Sequence, residues 1–321
     1  MNRRTENISP SVTAEGLPIE KAEEKRHSMF IDLCIRLVKE KPLGLFGAII
    51  VVGLFGVGIF ANFLAPYGYN ESNISDRLSP PSATHLLGTD NMGRDMLSRI
   101  IYGARISMIV GLAGAALSAV VGFLVGGVSG YFGGKFDIIF QRFVDAIMCF
   151  PSLILYLAIM AIIGQGLVPV ILVLGITTGF MASRTIRSAV IGVKQNMYVQ
   201  AAEATGTKTS SILIRHILPN IMPVVIVGFT LTVGSMILSE AMLSFLGYGI
   251  PPPTPTWGSM LQGSARRYML QAPWMALWPG VALALAVYGV NMFGDALRDL
   301  WDPRLRGGLG RYGRAAKIKK R

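Results

Sequence analysis

The stretch "ATGTKTSS", residues 204–211, is where this chain comes nearest to a phosphate-binding loop, with Gly206, Lys208 and a run of hydroxyls close together. A nucleotide cradle needs the spacing GxxxxGK[ST], whose glycines let backbone amides wrap the phosphates while the lysine reaches the outer ones. Here one glycine stands two residues before the lysine, so the stretch is not expected to bind ATP. Metal and nucleophile chemistry are no better served. The three histidines are scattered, no HExxH occurs, and Cys34 and Cys149 make no ligand pair. No Ser/His/Asp arrangement is recognisable either. Catalysis within this chain is not expected.

Three other polar features stand out by their surroundings. Glu240 lies toward the outer end of an apolar run, where an ionisable side chain reads by default as functional, for example at a gate. A hydrogen bond across a helix interface would account for it as well. Arg142 stands three residues before Asp145, the spacing of a structural ion pair on one helix face, with Asp137 a turn and a half earlier. Arg94 and Asp95 of "GRD" fall in a polar loop just ahead of an Arg-rich helix entry.

Hydropathy sets the elements that must position these groups. The chain of 321 residues is 52% hydrophobic and 15% charged, against about 25% charged in soluble domains. Its mean hydropathy is +0.51. No Asp, Glu, Lys or Arg occurs over 42–70, 106–134, 146–183, 216–239 or 268–294. Each gap exceeds the roughly 20 residues needed to cross a bilayer core of about 30 Å. "GQGLVP", 164–169, reads as a turn inside the third gap. The expectation is an all-α polytopic membrane protein with six spans, near 43–65, 104–128, 137–163, 167–187, 220–247 and 274–296.

Orientation follows from the basic residues. Of 30 Lys and Arg, 24 fall in the tail to Lys41, around 135–142, after the fourth span and after the sixth. The other six are Arg77, Arg94, Arg99, Arg105, Arg266 and Arg267. This bias puts both termini in the cytoplasm. The formal charge of +12 is then explained by topology and anionic lipid, and calls for no nucleic-acid partner. The first apolar run begins after more than 40 residues and is too long for a cleavable signal peptide.

The organisation reads as a disordered cytoplasmic tail over 1–28 and an interfacial helix with span 1 over 29–66. An external loop follows over 67–103, where Thr89 or Asp90 is expected to cap a short helix. A core of spans 2–6 occupies 104–297 and a basic tail 298–321. Gly122 and Gly126 in span 2 have the GxxxG spacing that lets helix backbones approach closely in lipid.

Within the core, the cytoplasmic loop 197–219 is the most structured polar segment. Nothing breaks a helix over 197–205, and Ala201, Ala202 and Ala204 make a smooth surface. Gly206 suits an end or a bend. A second helix is expected over 208–217, presenting Ile212, Leu213 and Ile217 on one side, and Pro219 and Pro223 fit the start of the next span. A docking knob and an elbow resting on lipid headgroups both remain open from the residues alone.

The spacing Gln200-Ala201-Ala202, three residues, Gly206, then Leu218-Pro219 resembles the cytoplasmic EAA loop of ABC importer permeases. That motif reads Glu-Ala-Ala, three residues, Gly, nine residues, Ile, one residue, Leu-Pro. Gln200 stands for its glutamate and His216 for its isoleucine, so an ion pair assigned to that glutamate cannot be made by Gln200. The stretches "HLLGTDNMGRDMLSRIIYGARIS" (85–107), "RFVDAIMCFPSLIL" (142–155), "SEAMLSFLGYGIPPPTPTWGSML" (239–261) and "NMFGDALRDLWDPRLR" (291–306) resemble the peptide/nickel branch of these permeases. The likeness runs from about 29 to 306 and is strongest to the second permease of dipeptide and oligopeptide importers.

The resemblance implies a type I ABC importer (MetI-like) permease fold in a bacterial or archaeal cytoplasmic membrane. It implies a second homologous permease, two cytoplasmic ATPase subunits that bind the ATP and magnesium, and an extracytoplasmic solute-binding protein. Gln200, Ala201, Ala202, Glu203, Gly206, Leu218 and Pro219 would then couple to the ATPase, and Arg94 and Asp95 would face the docking binding protein unless they only cap a helix. Glu240 would shape the outer gate or the passage for peptide termini. No cofactor is expected in this chain itself. An ion-coupled secondary transporter is the alternative, though it should show inverted repeats and interrupted helices. Gly206→Pro is expected to abolish transport and leave membrane insertion intact. Normal uptake by that variant, measured beside its membrane abundance, would remove the docking role.

Overall fold

The computed structural model describes residues 29–301; the tail read at 1–28 and most of that at 298–321 lie outside the described residues. Caps and prolines explain where the helices start. α1 (Met29–Glu40) is separated by Lys41 from α2 (Pro42–Ile59), whose proline opens the helix where a missing amide donor costs little. A short α3 (Ala61–Leu64) follows. The second span begins before residue 104, because Asp95 caps α4 (Met96–Gly122) and accepts from Ser98 N at 2.7 Å. α4 passes through a π-turn, Phe123–Gly127, into α5 (Val128–Phe132), and Gly133 at φ +66 ends the run. The 37 residues of Met96–Phe132 are about 55 Å long, well beyond the hydrocarbon core.

The third span departs from the single helix expected over 137–163. α6 (Gly134–Met148) and α7 (Ser152–Ile163) meet at 90° across Cys149, Phe150 and Pro151. Pro151 has no amide donor, and its ring disfavours helical backbone at Phe150. Among the described residues five helices are long and apolar enough to cross a membrane, and a sixth span exists if this bent pair is counted as one.

α8 (Leu167–Lys194) leads to α9 (Met197–Ala204) on the same side. The separate helix expected over 208–217 is corrected. α10 (Thr209–Ser211) continues through a second π-turn, Ile212–Ile217, into α11 (Leu218–Phe245), one run of 37 residues from Thr209 to Phe245. The π-turn places an irregular ladder directly ahead of Pro219, whose missing donor a regular α-helix would feel. On the outside, α12 (Trp257–Leu261) and α13 (Ser264–Arg267) precede the last span, α14 (Trp274–Trp301).

The bundle closes through small residues. A Cβ added at Gly126 would collide with Ser183 O, and one at Gly122 would lie 2.9 Å from Ile186 Cδ1, so the GxxxG face of the second span packs on α8. Gly175 and Gly179 of α8 face Leu117 and Val121 of α4 in return. Between α2 and α14, Gly47 sits where a Cβ would be 2.7 Å from Gly289 O. Such seams suit lipid, where apolar helices have no water to expel from one another. The main core gathers Met108, Val110, Leu174, Val233, Ile237 and Trp257 from four elements.

Gly126→Ala should therefore lower the thermal unfolding midpoint in detergent, at a cost of about 1–3 kcal/mol for overpacking. Gly192, with open space where its Cβ would be, supplies the control: its alanine variant should be neutral or slightly stabilising. Equal midpoints for the two variants would contradict the close approach.

Candidate functional site

The cytoplasmic foot is built from α9, a glycine turn and the start of the Thr209–Phe245 helix. Thr207 N donates to Ala202 O at 3.1 Å and Gly206 N to Glu203 O at 3.0 Å. These two bonds form a Schellman closure, which needs a left-handed residue at its apex. Gly206 takes that place at φ +74, and nothing lies within 4 Å of a Cβ built on it. Glycine is therefore required there by backbone angle and not by space, and the surface around it is left clear.

Gln200, Ala201, Glu203 and Gly206 are exposed or partly exposed on this foot, while Ala202 and Leu218 pack against the cluster beneath it. That cluster joins Val199 of α9, Ile212 and Ile217 of the π-turn, Ile186 and Val190 of α8, and Tyr131 of α5. Gln200 Nε2 donates to Gln195 O at 3.2 Å, so the amide standing for the motif's glutamate is tied back to the end of α8. Pro219 is exposed beyond the π-turn. The foot is thus a small rigid platform with a polar outer face and an apolar root shared by three spans.

Ion pairs tie α6 to α8 beside this root. Arg187 grips Asp137 with two nitrogens, Nε at 2.6 Å from Oδ1 and Nη2 on Oδ2. The Arg142–Asp145 contact is present at 3.4 Å, but Arg142 is 80% exposed and Asp145 also pairs with Arg184 of α8. Arg187–Asp137, the less exposed of the cross-helix pairs, is therefore the structural one, since exposed ion pairs add little. Sequence spacing could point to Arg142–Asp145 only, because Arg184 and Arg187 lie some forty to fifty residues away.

Between α4, α8 and α11 lies a cavity of about 310 Å³, lined by Ser118, Thr178, Met181, Thr185, Gly228 and Thr232 among others, none of them ionisable. Glu240 does not reach it. Its side chain is fully buried at the root of the external segment, where Ser244 Oγ donates to Oε1 at 2.6 Å and Thr256 lies alongside. The carboxyl is enclosed by its own chain, its bond to Ser244 lies within α11, and Oε2 is buried without a hydrogen-bond partner among the described residues.

Of the two readings of the external pair, capping holds for Asp95, which is 3% exposed, caps α4 and contacts His85 Nδ1 at 3.0 Å, while Arg94 stays partly exposed. Arg94 Nε donates to Asp90 at 2.7 Å, and Asp90 also accepts from the amides of Met92 and Arg94. Asp90 organises this loop; it is not a helix cap, and neither is Thr89. Trp257, which no spacing in the sequence singles out, is fully buried. It donates from Nε1 to Ile100 O at 3.1 Å, pinning the outer segment to α4.

The long apolar helices define a multi-pass membrane protein, with a cavity free of ionisable lining between α4, α8 and α11 and a glycine-closed foot on the basic side. Residues 118–307 match the family "Binding-protein-dependent transport system inner membrane component", and residues 30–81 match the "N-terminal TM domain of oligopeptide transport permease C". The chain is 38% identical to the dipeptide transport system permease protein DppC of Alkalihalophilus pseudofirmus, over 94% of this chain and 99% of that one. It is 36% identical to the oligopeptide transport system permease protein OppC of Bacillus subtilis, over 95% and 100%. A glutathione transport system permease protein GsiD of Escherichia coli is 37% identical over 85% and 90%. In solved structures it is similar to a chain of the MetNI methionine ABC transporter in an inward-facing conformation, with TM-score 0.50 and 19% identity over 64% of this chain and 97% of that one, a likeness of fold. The chain belongs to the binding-protein-dependent transport system inner membrane component family. The ion-coupled alternative finds no support in these relatives.

The Asp137–Arg187 pair gives a direct test of the inner-face geometry. Arg187→Met strands a carboxylate that is only 8% exposed and should destabilise the protein by about 1–3 kcal/mol. Adding Asp137→Asn should recover part of that loss, because contacting residues are not additive. Additive losses in detergent unfolding would sink the pairing.

Proposed function

We propose that the chain is the non-catalytic permease subunit of an ATP-driven ABC importer for peptides, forming half of a translocation pathway in a bacterial or archaeal cytoplasmic membrane. Its partners in this reading are a second homologous permease, two cytoplasmic ATPase subunits carrying the ATP and magnesium, and an extracytoplasmic binding protein. The observation that carries it is the foot: a left-handed Gly206 in a Schellman turn, with Gln200, Ala201 and Glu203 at its surface, seated on an apolar root common to α5, α8 and the Thr209–Phe245 helix. A grip on that platform from the cytoplasm acts on three spans together. Shifting an inward/outward equilibrium from 1:99 to 99:1 takes about 5.5 kcal/mol of differential binding, which an ATPase pair closing on nucleotide can supply.

Peptide as the substrate class is supported by relatives named for dipeptide, oligopeptide and glutathione transport. The cavity is compatible with it. Hydroxyls and small side chains offer hydrogen bonds to amide groups, and the absence of ionisable lining residues leaves no fixed charge to select one side chain over another.

The test is co-expression with the neighbouring transporter subunits and reconstitution into proteoliposomes. The tagged chain should capture a second permease and two ATPase subunits, and labelled dipeptide should enter only with ATP and binding protein present. Uptake by the chain alone, driven by an ion gradient, would refute the importer reading. Filling the cavity with Gly228→Phe should cut uptake while subunit capture persists.

A further inference from the structure

The proposed coupling at the foot leaves open how its movement enters the bundle, and one buried side chain stands where the paths meet. Tyr131 is in the last turn of the 37-residue Met96–Phe132 helix, 7% exposed, inside the apolar root. Its carbonyl, one of those a helix end leaves without an internal donor, accepts from Lys194 Nζ at 2.7 Å. The same ammonium sits 4.9 Å from the centre of the Tyr131 ring. Lys194 is the last residue of α8, two residues ahead of the cap of α9. The Tyr131 side chain lies in one apolar cluster with Val199 of α9 and Ile212 of the π-turn, which stand on either side of the Gly206 turn. Four segments thus converge on one residue: the end of the second span, the end of α8, the foot helix and the start of the Thr209–Phe245 helix.

We infer that Tyr131, held by Lys194, is a positioning residue that transmits displacement of the foot into the Met96–Phe132 helix. The helix is suited to carry it. Its length exceeds the bilayer core, its glycine seam packs tightly on α8, and its far end is fastened by the Asp95 cap and by Trp257 to the external segment. A rigid rod joined to the foot at one end and to the outer loops at the other moves both ends together. Gly133 and Gly134, at φ +66 and +58 with open space around them, turn the chain out of the rod and into α6 just past Tyr131.

The inference rests on the importer reading, and the experiment separates the two. The complete transporter, with partner permease, ATPase subunits and binding protein, is reconstituted in proteoliposomes with radiolabelled dipeptide as probe. Uptake per ATP hydrolysed is measured alongside capture of the ATPase subunits. Tyr131→Ala should retain ATPase capture yet lower uptake per ATP by about fivefold or more, the size of an ordinary coupling between sites. Tyr131→Phe, which keeps the ring under the ammonium, should restore most of it, and Lys194→Met should lower it again with the ring intact. A normal ratio in Tyr131→Ala overturns the inference, and so does loss of ATPase capture that Tyr131→Phe does not rescue. If Tyr131→Ala fails to accumulate, Lys194→Met decides, a normal ratio overturning and a reduced one supporting. Failure of the wild-type chain to capture any ATPase would instead sink the docking reading beneath it.

Discussion

Helices immersed in lipid gain nothing by expelling hydrocarbon from one another, so this bundle depends on how closely its backbones can meet. The seam between α4 and α8 carries that condition furthest. Gly122 and Gly126 on one side and Gly175 and Gly179 on the other leave no room for a methyl group, and Ser183 O lies where a Cβ at Gly126 would be. With the seam closed, α8 is a fixed wall from which α9 projects and to which α6 is bound by Arg184 and Arg187. Opened by even one methylene, it would loosen the root of the foot and the walls of the cavity together.

The polar chemistry is distributed in accordance with the cost of burying charge. Ion pairs and capping carboxylates cluster at the ends of the bundle, where water or helix termini satisfy them. The middle is served by hydroxyls, which bond to carbonyls of their own helix, as Thr177 does to Val173 O at 2.5 Å and Thr230 to Val227 O at 2.9 Å. Glu240 is the exception, an enclosed carboxyl held by Ser244 and neighboured by Thr256. Its bond to Ser244 lies within α11, close to the base of the external segment. The cavity between α4, α8 and α11 is lined by no ionisable side chain.

Features set by neighbours in the chain are legible from the residues themselves. The Schellman turn at Gly206 is such a case, since a left-handed apex after a run of helix formers needs only local bonds. The GxxxG spacing of Gly122 and Gly126 likewise predicts a contact face, though not that α8 fills it. The break at Pro151 is equally local, yet the apolar composition on both sides outweighs one proline and suggests an unbroken span over 137–163. For Asp95 the residues allow a partner surface as well as a helix cap. Burial decides between them, and only the folded loop with His85 and Ser98 supplies it.

By itself, the sequence determined that this chain crosses a membrane repeatedly, with its basic segments on one side and a glycine-closed platform among them. Length of apolar run, charge bias and backbone permissiveness are all properties of short stretches. Tertiary structure alone decided which partners meet across distance: Arg187 with Asp137, Trp257 with Ile100, and Lys194 with Tyr131. Residues fifty or more apart carry no mutual signal in one chain. Their pairing depends on which helix faces the glycine seams bring together.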